Sequence, residues 1–247
     1  MTEFQPAEPH DPAIVSTIIP CHDGERYVAE AIRSALAQTC GSHEIIVVDD
    51  GSTDGSADVV RTFGDLVRLA SQVRGGAARA RNLGAGIATG RNMAFLDADD
   101  LWTPNALREL VAVLEADPSL GLVFGTMEQF VSSELPPESR HQFKFAPEPA
   151  KARMCGTVLM RREVFARVGE LSAELTSGEF IDWLSRAEHL GVKTAAVDVL
   201  VLRRRLHHWN HGVVRRDAAQ DYLRVVKAAL ERRRLQASAS FATGEAS

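Results

Sequence analysis

The sequence predicts an α/β fold: a single domain built on a Rossmann-like, mostly parallel sheet flanked by helices. Four short apolar runs rich in β-branched residues, each bounded by turn residues, read as buried parallel strands. Segments with apolar residues at helical spacing lie between them, and this alternation is the order of a doubly wound sheet. The length of 247 residues suits one large α/β domain or two small ones, and no linker clearly divides the chain.

Taken in order, the strands are "VSTIIP" (15–20), "EIIVVDD" (44–50), "VRLASQ" (67–72) and "NMAFLD" (92–97). The first helix lies within "ERYVAEAIRSALAQT", where Val28, Ile32, Ala35 and Leu36 share a face. Thr53 or Asp54 is placed to cap a second helix through "GSADVVRTF", and a third runs through "GAARARNLGAGIA". Pro104 opens a fourth, striped by Leu107, Leu110, Val111 and Leu114. The second half is less regular. "GLVFGTMEQF" and "CGTVLM" read as strands, separated by a proline-rich surface loop or lid at 132–153. "SGEFIDWLSRAEHLG" reads as a helix ended by Gly191, and "AAVDVLVLRRRLHH" begins as a strand and turns basic. The last helix, from Asp217, carries Tyr222, Val225, Val226, Ala229 and Leu230 on one face, a stripe expected in the core or an interface and not as a membrane anchor.

Composition excludes several classes. The net charge of −5 offers no basic excess for neutralising a nucleic acid backbone. Cys21, Cys40 and Cys155 show no CxxC spacing, which points to a reducing, cytoplasmic setting. No apolar stretch approaches the roughly 20 residues that span a bilayer, although "ERRRL" leaves peripheral contact with an anionic membrane open. Residues 1–13, with acids and prolines in place of a basic, apolar leader, read as a loose tail, as do the small polar residues 236–247. A GxxxxGK[ST] phosphate loop is missing, and "GAGIATG" does not follow a strand.

The chemistry gathers at strand ends, where open α/β sheets bind ligands. The first strand ends in Pro20, Cys21, His22 and Asp23, the second in Asp49 and Asp50, the fourth in Asp97, Asp99 and Asp100. Like charges crowded at one edge repel and resist desolvation unless something positive lies among them. Mg2+ or Mn2+, which takes one or two carboxylates and fills its shell with water and phosphate oxygens, suits such an edge. "DDGSTDGS" or "DADDLWTP" alone would read as a turn and a helix cap; both at ends of one sheet point to a site.

These segments, together with "GGAARARNLGAGIATGRNMAFLDADDLWTP" and their spacing, resemble family 2 glycosyltransferases of the GT-A fold. The resemblance is close over residues 14–125 and looser to about 212. It implies a domain over 14–235, with a nucleotide-sugar-binding half (14–125) and an acceptor-binding half (126–235). It also implies inverting, hexosyltransferase-type transfer from a nucleoside-diphosphate sugar, expected to be a UDP-sugar, with Mg2+ or Mn2+.

By that resemblance, Pro20, Cys21, His22 and Asp23 line the nucleoside pocket and Asp50 accepts a hydrogen bond from the base. Arg81 contacts the nucleotide or positions the acidic loop. Asp97 and Asp99 match the D-x-D motif, Asp97 near the ribose or metal and Asp99 the metal ligand, with Asp100 the cap of the following helix. Arg205 and His207 match a late Arg-x-His segment, Arg205 balancing leaving-group charge and His207 completing the metal shell. His207 and His211 are four apart, but without HExxH around them a zinc site is not expected. A general base is expected from "GEFIDWLSRA", where Phe180 stands at the family's Asp; either Glu179 or Asp182 is left for that role. The expected acceptor is soluble: a peptide, a small molecule or an oligosaccharide. A nucleotidyltransferase is the nearest alternative, although its glycine- and lysine-bearing first loop is replaced by "PCHDGERY". A non-catalytic nucleotide-sugar-binding module is the other.

Overall fold

The computed structural model describes residues 15–136, 148–208, 221–232 and 234. The two predicted tails, the centre of the predicted lid and His211 lie outside the described residues.

The first half follows the predicted alternation: β1 (Val15–Cys21), α1 (Val28–Leu36), β2 (His43–Asp50), α2 (Ser56–Arg61), β3 (Arg68–Gln72), α3 (Ala77–Ile87) and β4 (Asn92–Phe95). β1 pairs in parallel with both β2 and β4, and β2 with β3. The strand order therefore runs β3-β2-β1-β4 and reverses beside β1, opening a crevice at the carboxyl ends. The second half adds β5 (Leu101–Trp102), α4 (Ala106–Ala116), β6 (Leu120–Val131), β7 (Ala150–Lys151), β8 (Val158–Arg161), α5 (Arg162–Val168), α6 (Glu179–His189) and β9 (Lys193–Leu206). These strands extend the same sheet as β4-β8-β6-β9-β5, with β7 against β6. β8 runs antiparallel to both β4 and β6, so one mixed sheet joins the two halves. A last helix, α7, spans 221–232.

Alternation along the strands sends side chains to two cores. Ile19 and Val47 meet α1 and α4, while Ile18, Ile46 and Val48 meet α3, α5 and α6. α3 lies so close to β1 that a Cβ on Gly84 would stand 2.3 Å from Ile18 Cγ2, which only glycine avoids. On the second face Trp183 is fully buried, stacked between Phe165 and Phe180 at centroid distances of 5.6 and 5.9 Å. Its indole N–H donates to the Gly169 carbonyl at 2.7 Å.

Three local expectations are corrected. Helix α4 starts at Ala106 behind Asn105, because residues 101–102 first pair with β9; Asp100 is therefore no helix cap. "CGT" forms a 3-10 turn before β8. The stripe on α7 is only partly buried: Val225 packs inward, whereas Tyr222, Val226 and Leu230 are exposed.

Candidate active site

The carboxyl ends of β1, β2 and β4 open into a cavity of about 1550 Å³. Loop-to-loop bonds set its walls. His22 Nδ1 lies 3.0 Å from the Asp50 carbonyl oxygen, and Arg74 bonds to the other ring nitrogen. Asp23 accepts from the Thr53 backbone N–H at 2.7 Å, and Glu25 from that of Gly55 at 3.0 Å. Asp54 accepts from Glu25 N–H and also from Ser56 N–H at the start of α2. Burial pushes the Cys21 thiol up to about 12, so it lines the cavity as a neutral group.

Asp50 is a clamp as well as a wall. Its Oδ1 accepts from Gln72 Nε2 and Gly75 N–H, both at 2.7 Å, and its Oδ2 from Gly76 N–H at 2.8 Å. A carboxylate offers about four acceptor directions, so Oδ2 keeps one for a ligand N–H.

The Asp97–Asp100 cluster resolves its repulsion in three ways. Asp97 accepts from Arg81 at 2.6 Å, and Arg81 reaches on to Glu179 at 2.7 Å. Asp99 Oδ2 lies 2.9 Å from His207 Nε2; burial acts to raise its pKa, and the hydrogen bond and charge of His207 outweigh it, holding it below the usual range. Asp100 is buried, and desolvation together with the charges of Asp99 and Asp97 pushes its pKa well above the ordinary value. It accepts the Arg205 backbone N–H at 2.8 Å. Arg81 thus places positive charge beside Asp97, and His207 a hydrogen-bond partner beside Asp99, as such crowding requires.

Pro20, Cys21, His22, Asp23, Asp50, Arg81, Asp97, Asp99 and His207, predicted from scattered motifs, all line this cavity. Three predicted residues do not. Arg205 is turned inward, donating to Glu30 at 2.7 Å and to the Asp99 carbonyl at 2.9 Å, with its guanidinium over Tyr27 and Phe130. It braces the acidic loop, and Arg204, on the opposite face of β9, lines the cavity instead. Glu179 is not among the residues lining the cavity and is joined to it through Arg81. Asp182 is held by Arg186 and Arg232, each at 3.0 Å. Sequence reasoning missed Arg204, Arg74 and Tyr27, whose ring lies 4.8 Å from that of His207. The signal for Arg204 was strand alternation across "RRR", but the strand order was needed to say which face meets the cavity.

Residues 16–169 match the model of the glycosyl transferase family 2. The chain belongs to this family.

Among curated family relatives, an uncharacterized glycosyltransferase of Nostoc sp. is 41% identical over 113 residues, 44% of this chain and 35% of that protein. A UDP-Glc:alpha-D-GlcNAc-diphosphoundecaprenol beta-1,3-glucosyltransferase of Escherichia coli is 34% identical over 120 residues, 48% of this chain and 47% of its own. The matched stretch thus spans less than half of either relative. The GT-A-type fold is shared with Staphylococcus aureus TarS 1–349 in complex with UDP-GlcNAc, at TM-score 0.70 and 20% identity over 88% of this chain and 66% of that one. It is shared also with a Pyrobaculum calidifontis mannosyltransferase in complex with GDP-Man and Mn2+, at TM-score 0.68 and 20% identity over 91% and 68%.

Within this family 2 domain, the Phe180 departure has a packing reason. Phe180 is buried against Trp183 and Phe124, where a carboxylate would be stranded without a partner. No group of three or more metal-ligating side chains occurs among the described residues. The Asp99–His207 pair nonetheless fits an ion shared with substrate. Asp99 and His207 would be the residues that hold it, since such ions usually take few protein ligands beside phosphate and water. Among the described residues no helix is long and apolar enough to cross a membrane.

Proposed function

We propose that this chain transfers a sugar from a UDP-sugar to an acceptor nucleophile, with inversion. The observation that carries the reading is the convergence of Asp50, Asp99, His207 and Arg204 on one cavity at the sheet's switch point in a family 2 domain. Asp50 Oδ2 accepts an N–H of the base and fixes the nucleoside end. Asp99 and His207 would hold Mg2+ or Mn2+, which supplies Lewis-acid stabilisation to diphosphate charge. Arg204 faces the same region and donates to the departing diphosphate, and Arg81 keeps Asp97 oriented.

Glu179 takes the acceptor proton in this reading. Of the two carboxylates in its segment, it is the one linked to the cavity, through Arg81, whereas Asp182 is tied to two guanidinium groups. The acceptor enters beside Tyr27 and Thr176; a hydroxyl-bearing peptide, small molecule or oligosaccharide in a cytoplasmic setting suits an opening of this size.

A second reading, a nucleotide-sugar-binding module without turnover, is favoured by one observation: neither Glu179 nor Asp182 is among the cavity-lining residues. One experiment separates the two. Release of free UDP from a panel of UDP-sugars, with and without Mn2+, is expected in the wild type and lost in Glu179→Gln. Calorimetric binding without UDP release in both proteins supports the module. Neither binding nor release with any UDP-sugar overturns both readings.

A further inference from the structure

We propose that the exposed face of α7 is a docking element for an anionic membrane surface. The opposite side of this helix is anchored. Val225 is buried, and Asp221 accepts from Thr176 N–H at 3.0 Å, Thr176 Oγ1 at 2.6 Å and Ser177 N–H at 3.2 Å. Arg232 donates to Asp182 and Ser185 of α6. The outward side is apolar: Leu223, Val226 and Leu230 are 61%, 54% and 50% exposed, with Tyr222 beside them. At about 100° per residue, these four fall within an arc of roughly 100° that excludes positions 221, 225 and 232. A row of half-exposed aliphatic side chains on a fixed helix is costly in water unless something covers it.

Charge selects the occupant. Residues 221–234, the helix and its end, hold five Lys or Arg against two Asp or Glu, in a chain whose net charge is −5. On the helix itself Arg224 and Lys227 are exposed beside the apolar row, against Glu231 alone among the exposed acids of its described residues. A second copy docking about a two-fold axis would bring two cationic helices together. A bilayer carrying acidic lipids meets both features, covering the aliphatic groups and attracting the bases. Asp221 also fastens Thr176, which lines the cavity, so the helix and the cavity wall are joined.

The test uses the full chain without donor or metal, so it is independent of any transferase activity. Co-sedimentation with phosphatidylcholine vesicles containing phosphatidylglycerol should pellet the protein, and pure phosphatidylcholine should not. Added salt should weaken the binding. The triple variant Leu223→Ser/Val226→Ser/Leu230→Ser should bind about tenfold more weakly or worse, with an unchanged circular dichroism spectrum. Arg224→Gln/Lys227→Gln, at exposed positions, should lose the preference for acidic lipid and serves where the triple variant fails to fold. Protein left in the supernatant with acidic vesicles overturns the proposal, as does wild-type binding by both variants. A wild-type dimer that the triple variant dissolves, without vesicle binding, assigns the face to self-association and overturns it as well.

Discussion

Arg81 Nη1 lies 2.7 Å from Glu179 Oε1, tying α3 to the first residue of α6 across 98 positions of sequence, while its Nη2 holds Asp97. The guanidinium is almost fully buried, so it is both a structural brace and a link between the acidic loop and the α6 carboxylate.

Removing it should therefore affect stability as well as chemistry. Arg81→Ala leaves Asp97 and Glu179 facing each other unpaired. Breaking a buried pair costs about 3–5 kcal/mol, and the partial exposure of Asp97 places this case at about 3 kcal/mol. Urea denaturation measures it. Arg81→Lys, which keeps the charge but not the fork, should recover part of that loss.

Arg204 and Arg205 are neighbours with opposite expected phenotypes. Arg205→Gln strips donors from Glu30 and the Asp99 carbonyl and should cost about 2–4 kcal/mol of stability. Arg204→Gln should change stability by less than about 0.5 kcal/mol while lowering kcat/KM for a UDP-sugar by about tenfold or more. Thermal melts beside donor kinetics read both; a reversed pattern contradicts the orientation of β9.

Phe180→Asp restores the acid that the family resemblance leads one to expect, and it should fail. The aromatic stack with Trp183 would be lost and a carboxylate buried among Phe124 and Trp183, for about 3 kcal/mol or more of destabilisation. An unchanged melting temperature with raised turnover would show instead that this position opens to the cavity.

His43 gives the fold a pH dependence away from the site. Burial lowers its pKa to about 4, and its Nε2 lies 2.7 Å from Thr17 Oγ1. The folded pKa is depressed below the unfolded value of about 6.5, so the unfolded chain binds a proton that the folded chain refuses. The stabilisation is full above about pH 6.5 and is lost as pH falls towards 4, about 2 kcal/mol by pH 5. Denaturation midpoints at pH 7.5 and 5 check it, and His43→Gln should flatten the difference.

Much of this was legible in the chain. Short apolar runs rich in β-branched residues and helical stripes identify β1 to β4 and their crossovers, because buried parallel strands leave a strong local signal. The D-x-D cluster and the "DDGS" turn locate the cavity floor for the same reason. The second half was harder: β8 joins the sheet antiparallel to β4, and nothing local in "VLMR" announces it. Arg205 illustrates the limit at the site. Its residue type and position were right for anion binding, yet strand alternation turned Arg204 to the cavity, and only the pairing of β9 with β6 and β5 decides that. That Arg81 positions the acidic loop was one of its two expected roles; its second partner, Glu179, was out of reach, being 98 positions away in the chain.

In the proposed reading, one cavity holds a nucleoside diphosphate between Asp50 and the Asp99–His207 pair. A crystal structure of the chain with UDP and Mn2+ tests it most directly. The base is expected at Asp50, the ion on Asp99 and His207, and the diphosphate within hydrogen-bond reach of Arg204. Nucleotide bound elsewhere, or a diphosphate turned away from all three of those side chains, would contradict it.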